Sequence, residues 1–317
     1  MTSKKALITG ITGMDGKLLS SLLLLKGYTV YGLYRNNPNK SLVKIENVTY
    51  IEADLSNLDN LKTLFGDLVF DEIYNLGGQT FIGFGWEYPE YTIQVNCLSV
   101  IKFLEYIKNY SPTTKFLNAS SSEIFKDTTI SPQNEFTPHS PNNIYGSSKS
   151  LASNIIKNYR EYHNLYTVSG ILYTHEDVSR DEYYVSKKIT SGVAKIHLGL
   201  SNTIYLGDLN SSRDWLSAKD VVNAMWYILQ ENKPDDYIIS SGISRTIKEF
   251  ISTSFNVVGI NNWHQYVKID NSLIRQEKIT NIVGDNTKLT SIGWKPIFSF
   301  QQMIEELVTH EIKKLKN

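Results

Sequence analysis

The chain has 317 residues, with 32 Lys and Arg balancing 32 Asp and Glu, 41% hydrophobic and 20% charged positions, a composition that excludes a disordered chain. Zero formal charge without a strongly basic stretch argues against nucleic acid as a partner. The most apolar run, Leu22 to Leu25, is too short to span a bilayer, so no membrane partner is expected. A single cysteine, Cys97, excludes an intramolecular disulfide framework and a thiolate-rich metal site, which makes a reducing, cytoplasmic location the expectation. Lys4 and Lys5 precede a short apolar stretch, but Gly10, Gly13, Asp15 and Gly16 interrupt it at once, unlike a signal peptide. The six histidines show no HxxxH or HExxH spacing, and no metal site is expected.

Lys5 to Thr9 reads as a buried strand, Lys17 to Lys26 as a Leu-rich helix closed by Gly27, and Tyr28 to Tyr34 as a second strand. The order repeats: Thr49 to Glu52 is a strand, Leu58 to Leu64 a helix, and Asp71 to Leu76 a strand ending in Gly77 and Gly78. Helical apolar spacing runs from Tyr91 to Tyr110, and Lys115 to Ala119 is the next strand, delivering Ser120, Ser121, Ser122 and Glu123 at its end. A Pro- and Asn-rich loop from Ser131 to Asn143 precedes a helix from about Tyr145 to Tyr162, and Val168 to Tyr173 is a further strand. This alternation predicts a doubly wound parallel sheet with helices on both faces. Beyond it, Glu176 to Leu209 and Arg245 to Asn317 look mixed, Ala218 to Glu231 is helical, and Tyr237 to Ser241 is placed to return to the sheet. The expected division is a nucleotide-binding domain of residues 1–175 plus about 215–242, with a smaller lobe of about 176–214 plus 243–317.

Thr9-Gly10-Ile11-Thr12-Gly13-Met14-Asp15-Gly16 follows a strand and opens a helix, so glycines stand where a tight turn and close approach of a diphosphate both need them. The spacing is GxxGxxG, which by itself also suits a purely structural turn. Asp54 ends the third strand, where it could bond an adenine amino group. At the end of the second strand an NAD site usually places an acid for the ribose 2′-hydroxyl; here stand Arg35, Asn36 and Asn37. A cation there suits a 2′-phosphate, so NADP is preferred and NAD stays open. Tyr145 and Lys149 are an i,i+4 pair on one helix face, and an ammonium beside a phenol favours the phenolate, which makes Tyr145 a candidate base. Glu123 reads either as a solvated or capping acid, or as a base for a proton alpha to a new ketone.

Taken together, these residues resemble the extended short-chain dehydrogenase/reductase family, and within it GDP-mannose 4,6-dehydratases. The similarity spans nearly the whole chain. Beyond the glycine turn and the Tyr145/Lys149 pair, it includes Asp71-Glu72-Ile73-Tyr74-Asn75-Leu76-Gly77, Glu87-Tyr88-Pro89-Glu90-Tyr91-Thr92, Ala119 to Glu123, Asn158-Tyr159-Arg160-Glu161, Gly170 to Glu176, Arg213-Asp214-Trp215 and Gly293-Trp294-Lys295-Pro296. The resemblance implies a Rossmann-type domain with a smaller mixed α/β substrate lobe. It implies that Ser121 bonds the sugar's 4-oxygen, that Glu123 shuttles a proton, and that Tyr145 with Lys149 forms the base pair. It further implies cofactor contacts from Gly10 through Gly16, Arg35 to Pro38, Asp54, Leu55, Leu76, Gly77, Gly78, Gln79, Thr80, Tyr91, Lys149, His175 and Arg180. Lys188, Arg213 and Arg275 fall where the family holds the nucleotide diphosphate, and Ser122, Gly85 and Thr174 border the sugar.

Three departures bear on the substrate: Gly85 replaces a Ser, Thr174 an Asn, and Lys278 a Glu, with Gln276 where a Pro is usual. The resemblance therefore implies a 4,6-dehydratase with GDP-mannose favoured, and leaves open another GDP- or UDP-sugar such as GDP-N-acetylglucosamine or a GDP-heptose. Related epimerases and reductases share the glycine turn and the Tyr/Lys pair but need no carboxylate base. A regulatory protein that binds cofactor without turnover is the reading from a different class. The expected assembly is a homodimer through the helices that begin near Tyr91 and Tyr145, with a homotetramer left open.

Overall fold

The computed structural model describes residues 3–37, 42–274 and 281–316. Its first half contains β1 (Lys5–Thr9), α1 (Met14–Leu25), β2 (Thr29–Tyr34), β3 (Val48–Glu52), α2 (Leu61–Phe65), β4 (Glu72–Asn75), α3 (Ile82–Glu87), α4 (Pro89–Ile93), α5 (Ser99–Tyr110), β5 (Lys115–Ser121), α6 (Ile144–His163) and β6 (Thr167–Leu172). The second half contains β7 (Thr174–Glu176), α7 (Val185–His197), β8 (Ile204–Leu206), β9 (Ser212–Ser217), α8 (Ala218–Gln230), β10 (Tyr237–Ile239), β11 (Ser244–Thr246), α9 (Ile247–Val257), β12 (Val267–Ile269), α10 (Thr287–Ser291) and α11 (Phe300–Lys316).

Seven strands form one sheet in the order β10-β6-β5-β4-β1-β2-β3, with every neighbouring pair parallel. Strands of a parallel sheet are buried on both faces, which is why they read as apolar runs and not as alternations. One face packs against α1 and α8, with Leu19, Leu23, Val221, Met225 and Ile228 fully buried. The other packs against α2, α5 and α6 through Phe65, Phe103, Leu104, Ala152 and Ile156. From β1 the chain winds outward to β2 and β3, then returns to the far side of β1 at β4. The direction therefore reverses between β1 and β4, and at such a reversal the strand ends splay into a crevice that binds ligands.

Two expected helices differ in detail. The helix expected over Leu58 to Leu64 starts three residues later, as α2, because Asn60 caps it, and a 3₁₀ turn, Leu55–Asn57, capped by Asp54, precedes it. The helix expected from Tyr91 to Tyr110 is interrupted by a wide π turn, Gln94–Leu98, between α4 and α5. That turn aims Asn96 inward, where its Nδ2 donates to the Gln79 carbonyl at 2.9 Å and its Oδ1 accepts from Gln79 N at 2.9 Å.

The segments that looked mixed carry three regular helices. α7, α9 and α11 enclose a separate apolar cluster that includes Ile189, Val193, Phe250, Phe255, Ile304 and Val308. Two small sheets accompany them, β11-β9-β7 and β12-β8. Tyr237–Ile239 returns to the large sheet beside β6, as its apolar run suggested. Among the described residues, no helix is long and apolar enough to cross a membrane.

Candidate active site

Gly10 has φ +66° and faces Gly77 across the β1/β4 crevice; a Cβ on Gly10 would lie 2.7 Å from the Gly77 Cα. Only glycine fits both the left-handed backbone and this contact. Gly16 is equally constrained, since its Cβ would lie 2.4 Å from the Gly10 carbonyl oxygen, so α1 begins pressed against the turn. Gly13 precedes α1 without a side-chain cap, which leaves N–H groups of the first turn available to an anion. Beside this turn opens a cleft of about 1130 Å³.

Gly10, Thr12, Arg35, Asn36, Asn37, Asp54, Leu55, Gly77, Gly78, Gln79 and Tyr91 all line the cleft. Arg35 Nη1 donates to the Tyr91 hydroxyl at 2.5 Å, which joins the end of β2 to α4. Asp54 Oδ1 accepts from Ser56 N at 2.9 Å. Ile11 is fully buried in the core behind the turn. Lys17, Phe81 and Tyr183 also line the cleft, and the sequence reading passed them over. Lys17 directly follows Gly16 and, with Arg35, is a cation lining the cleft. Phe81 and Tyr183 touch edge to face across the wall at 5.8 Å between ring centroids.

The base-pair candidates stand at the C-terminal end of β5 and the start of α6. Tyr145 and Lys149 are both buried. Lys149 Nζ donates to the Ala119 carbonyl at 2.7 Å and lies 5.9 Å from the Tyr145 ring centroid. Burial pulls the Lys149 ammonium down to about 8. Burial also pushes the Tyr145 phenol well up; Ser121 works in the opposite direction and the charge of Glu123 adds to the rise. An ammonium beside the ring favours the phenolate, whereas desolvation of the ring in the free protein works against it.

Glu123 follows β5 on a 3₁₀ turn, Ser122–Phe125, capped by Ser121, whose Oγ accepts from Glu123 N at 3.3 Å. Its Oε2 accepts from Asn143 Nδ2 at 2.9 Å, and its Oε1 lies 3.8 Å from Lys126 Nζ. Gly85 in α3 faces the start of α6: a Cβ there would stand 3.6 Å from Tyr145 N.

His175 and Arg180 are held by protein groups. His175 Nε2 is 3.1 Å from Asp15 Oδ2, and its Nδ1 is 2.7 Å from the Tyr173 carbonyl. Both ring nitrogens thus face acceptors, which demands the doubly protonated ring. Burial disfavours that cation, but Asp15 outweighs it and raises the His175 pKa; burial likewise opposes the Asp15 carboxylate, and His175 with Arg180 outweighs it and lowers the Asp15 pKa. Arg180 Nε donates to Glu176 at 2.9 Å, and its Nη2 donates to the His175 carbonyl. Asp15 Oδ1 is buried and has no donor among the described residues.

Thr174 lies in β7, paired with Trp215 of β9. Lys188 is on the exposed side of α7, within electrostatic reach of Asp270. Arg213 Nη1 donates to the Ser212 carbonyl at 2.7 Å. Neither lines the cleft. Arg275, Gln276, Lys278 and Pro38 lie outside the described residues. Asp214, within the Arg213-Asp214-Trp215 block, is buried and accepts from Ser241 N, Gly242 N and Gly284 N at 2.7, 3.0 and 3.2 Å, so it binds the end of β10 to the segment before α10. Among the described residues, no group of three or more His, Cys, Asp and Glu side chains could hold a metal ion.

A seven-stranded parallel sheet with a glycine turn at its reversal and a Tyr/Lys pair on the helix after β5 defines the class: an extended short-chain dehydrogenase/reductase fold. Comparison with known proteins agrees. The structure of RMD from Pseudomonas aeruginosa complexed with NADPH superposes with a TM-score of 0.80 at 21% identity, covering 98% of this chain and 100% of that one. The dTDP-glucose 4,6-dehydratase of Bacillus anthracis in complex with NAD superposes with a TM-score of 0.82 at 18% identity, over 99% of this chain and 98% of that one. A sequence model of the GDP-mannose 4,6 dehydratase family matches residues 7–307. GDP-mannose 4,6 dehydratase 2 of Arabidopsis thaliana is 37% identical over 331 residues, covering 99% of this chain and 88% of the relative. The chain belongs to the GDP-mannose 4,6-dehydratase family.

Proposed function

We propose that this protein is an NADP-dependent nucleotide-sugar 4,6-dehydratase, a hydro-lyase that converts GDP-mannose to GDP-4-keto-6-deoxymannose. The observation that carries the reading is the meeting of Ser121, Glu123, Tyr145 and Lys149 at the end of β5, where Glu123 supplies the carboxylate base that an elimination needs in addition to the Tyr/Lys pair. The cleft residues fit a dinucleotide: Gly10 and Gly77 leave no side chain at the crevice, and the α1 N-terminus beside them is uncapped. Arg35 and Lys17 on the wall favour a 2′-phosphate over a bare ribose, hence NADP over NAD, in keeping with the NADPH of the Pseudomonas structure.

A nicotinamide dinucleotide held by the glycine turn and the cleft residues would supply a reversible hydride store between C4 and C6 of the sugar, with no net redox change. Ser121 bonds the 4-oxygen. Tyr145 takes the 4-hydroxyl proton as its phenolate, which the Lys149 ammonium 5.9 Å from its ring and the positive charge of an oxidised nicotinamide would favour against desolvation. The ketone acidifies C5–H, and Glu123 removes that proton and passes it to the C6 hydroxyl, which leaves as water; the proton held by Tyr145 then goes to C5 as C6 regains its hydride. We further propose that residues 1–175 with about 215–242 hold the cofactor while the remainder holds the sugar nucleotide. The assembly proposed is a cytoplasmic homodimer through α5, with the π turn before it, and α6, where Leu98 of the turn and Leu151 of α6 are exposed; a monomer by light scattering refutes it.

The test incubates purified protein with GDP-mannose, GDP-N-acetylglucosamine, UDP-glucose and UDP-N-acetylglucosamine and reads loss of one water by mass spectrometry. Loss with GDP-mannose is the expected result. Glu123→Gln should oxidise C4 slowly and trap reduced cofactor while releasing no 4-keto-6-deoxy product; turnover like that of the wild type would refute the mechanism. A second reading keeps the chemistry and changes the sugar. It is favoured by Gly85, which offers no side chain where α3 meets Tyr145, and water loss with a different sugar nucleotide would establish it.

A further inference from the structure

We propose that Asn143 is the positioning residue for Glu123, holding the carboxylate aimed by fastening it to the first turn of the helix that carries Tyr145 and Lys149. The proposal rests on the acid/base reading of Glu123 given above. Asn143 is 7% exposed and uses both ends of its amide. Its Oδ1 accepts from Gly146 N at 2.8 Å, capping α6. Its Nδ2 donates to Glu123 Oε2 at 2.9 Å and to Asn142 Oδ1 at 3.1 Å. The two backbones are also in contact, since a Cβ on Gly146 would stand 2.6 Å from the Glu123 carbonyl oxygen.

The second carboxylate oxygen faces Lys126 Nζ at 3.8 Å. Charged and titratable groups that face the carboxylate include Lys126 on its own turn and Tyr145 on α6. A general base must be ionised before it acts and must sit within hydrogen-bond reach of its proton. An amide N–H donated to a carboxylate favours the ionised form and fixes the plane of the group. Because one side chain caps the helix and holds the carboxylate, any shift of the α6 start carries Tyr145 and Glu123 together and preserves their separation. The phenol that works at C4 and the carboxylate that works at C5 are thereby kept in one frame.

Capping and clamping can be separated, because Asn, Asp and Ser are nearly equivalent helix caps. Asn143→Asp keeps the cap and sets an anion against Glu123, whereas Asn143→Ser keeps the cap and removes the donor. Both variants are expected to melt within a few degrees of the wild type. In Asn143→Asp two carboxylates face each other where an amide and a carboxylate stood, so kcat should fall at least as far as in Asn143→Ser. Asn143→Ser should lower kcat roughly tenfold while KM stays within about twofold, the pattern of a lost transition-state alignment. A kcat unchanged in Asn143→Asp or in Asn143→Ser overturns the proposal. Absence of dehydration by the wild type overturns the functional reading instead, and the NMR resonances of the Asn143 side-chain amide still judge the contact: Glu123→Ala should shift them, and unmoved resonances overturn the proposal.

Discussion

Two buried polar clusters flank the glycine turn, and they treat charge in opposite ways. In the first, Asp15, His175, Arg180 and Glu176 neutralise one another across 160 residues of sequence, joining α1 to the strand that leaves the large sheet. In the second, Lys149 is buried with a backbone carbonyl as its hydrogen-bond partner, no carboxylate pairs with it among the described residues, and Tyr145 is driven toward its neutral form. A compensated cluster stabilises the native state, whereas an uncompensated one stores an electrostatic cost that a ligand can relieve. The first behaves as a fastening and the second as a reaction site.

Removing the working hydroxyl gives the largest contrast. Tyr145→Phe should lower product formation by about 10²–10⁴-fold without lowering the melting temperature, which steady-state kinetics and calorimetry check together. A comparable loss of stability would make Tyr145 a fastening too. Lys149→Met should go further and stabilise the fold while abolishing efficient turnover. The folded-state lysine is pulled down to about 8, below its unfolded value of about 10.4, so the unfolded chain holds the proton more tightly and the charge opposes folding. The gain, of order 1–3 kcal/mol, should be complete below pH 8, shrink as pH rises, and vanish near pH 10.4, as denaturant titrations at several pH values would reveal.

His175→Gln should do the reverse, costing roughly 1–3 kcal/mol. His175 is raised, so its contribution is complete below the unfolded value of about 6.5 and is lost as pH rises through the folded one. Asp15 is lowered, so its contribution is present above about 3.9 and is lost as pH falls through its folded value. The stability difference between His175→Gln and wild type should therefore be widest between about pH 4 and 6.5, and a difference independent of pH would deny the ion pair. Arg180→Lys should show the smallest effect, about 1 kcal/mol in thermal melts, because the ammonium keeps the charge near Glu176 but loses the forked bond to the His175 carbonyl and the stacking over Tyr184 at 4.5 Å.

The first cluster was half legible in the sequence. Asp15 and His175 were both marked by resemblance as cofactor contacts, yet their bond to each other was not foreseen, because a pairing across 160 positions leaves no periodic trace. Asn143 carried a local signal, an Asn directly before a helix, that identifies a cap; its second bond to Glu123 depends on how the 3₁₀ turn after β5 meets α6. Asn96 and Tyr183 escaped altogether. One depends on a π turn inside an otherwise regular apolar pattern, and the other on a loop that reaches the cleft from the far side.

By itself, the sequence determined the parallel sheet, the glycine turn at its reversal, the Tyr145/Lys149 face and the Ser121/Glu123 strand end, because each is written in residues close enough to act through local geometry. Periodicity two or 3.6, a glycine where no Cβ fits, and i,i+4 spacing are short-range properties. Only the tertiary structure decided which charges are compensated. That depends on burial and on partners from distant segments: Tyr145 is desolvated where α6 begins, and the same fold turns the Lys149 ammonium toward the Ala119 carbonyl.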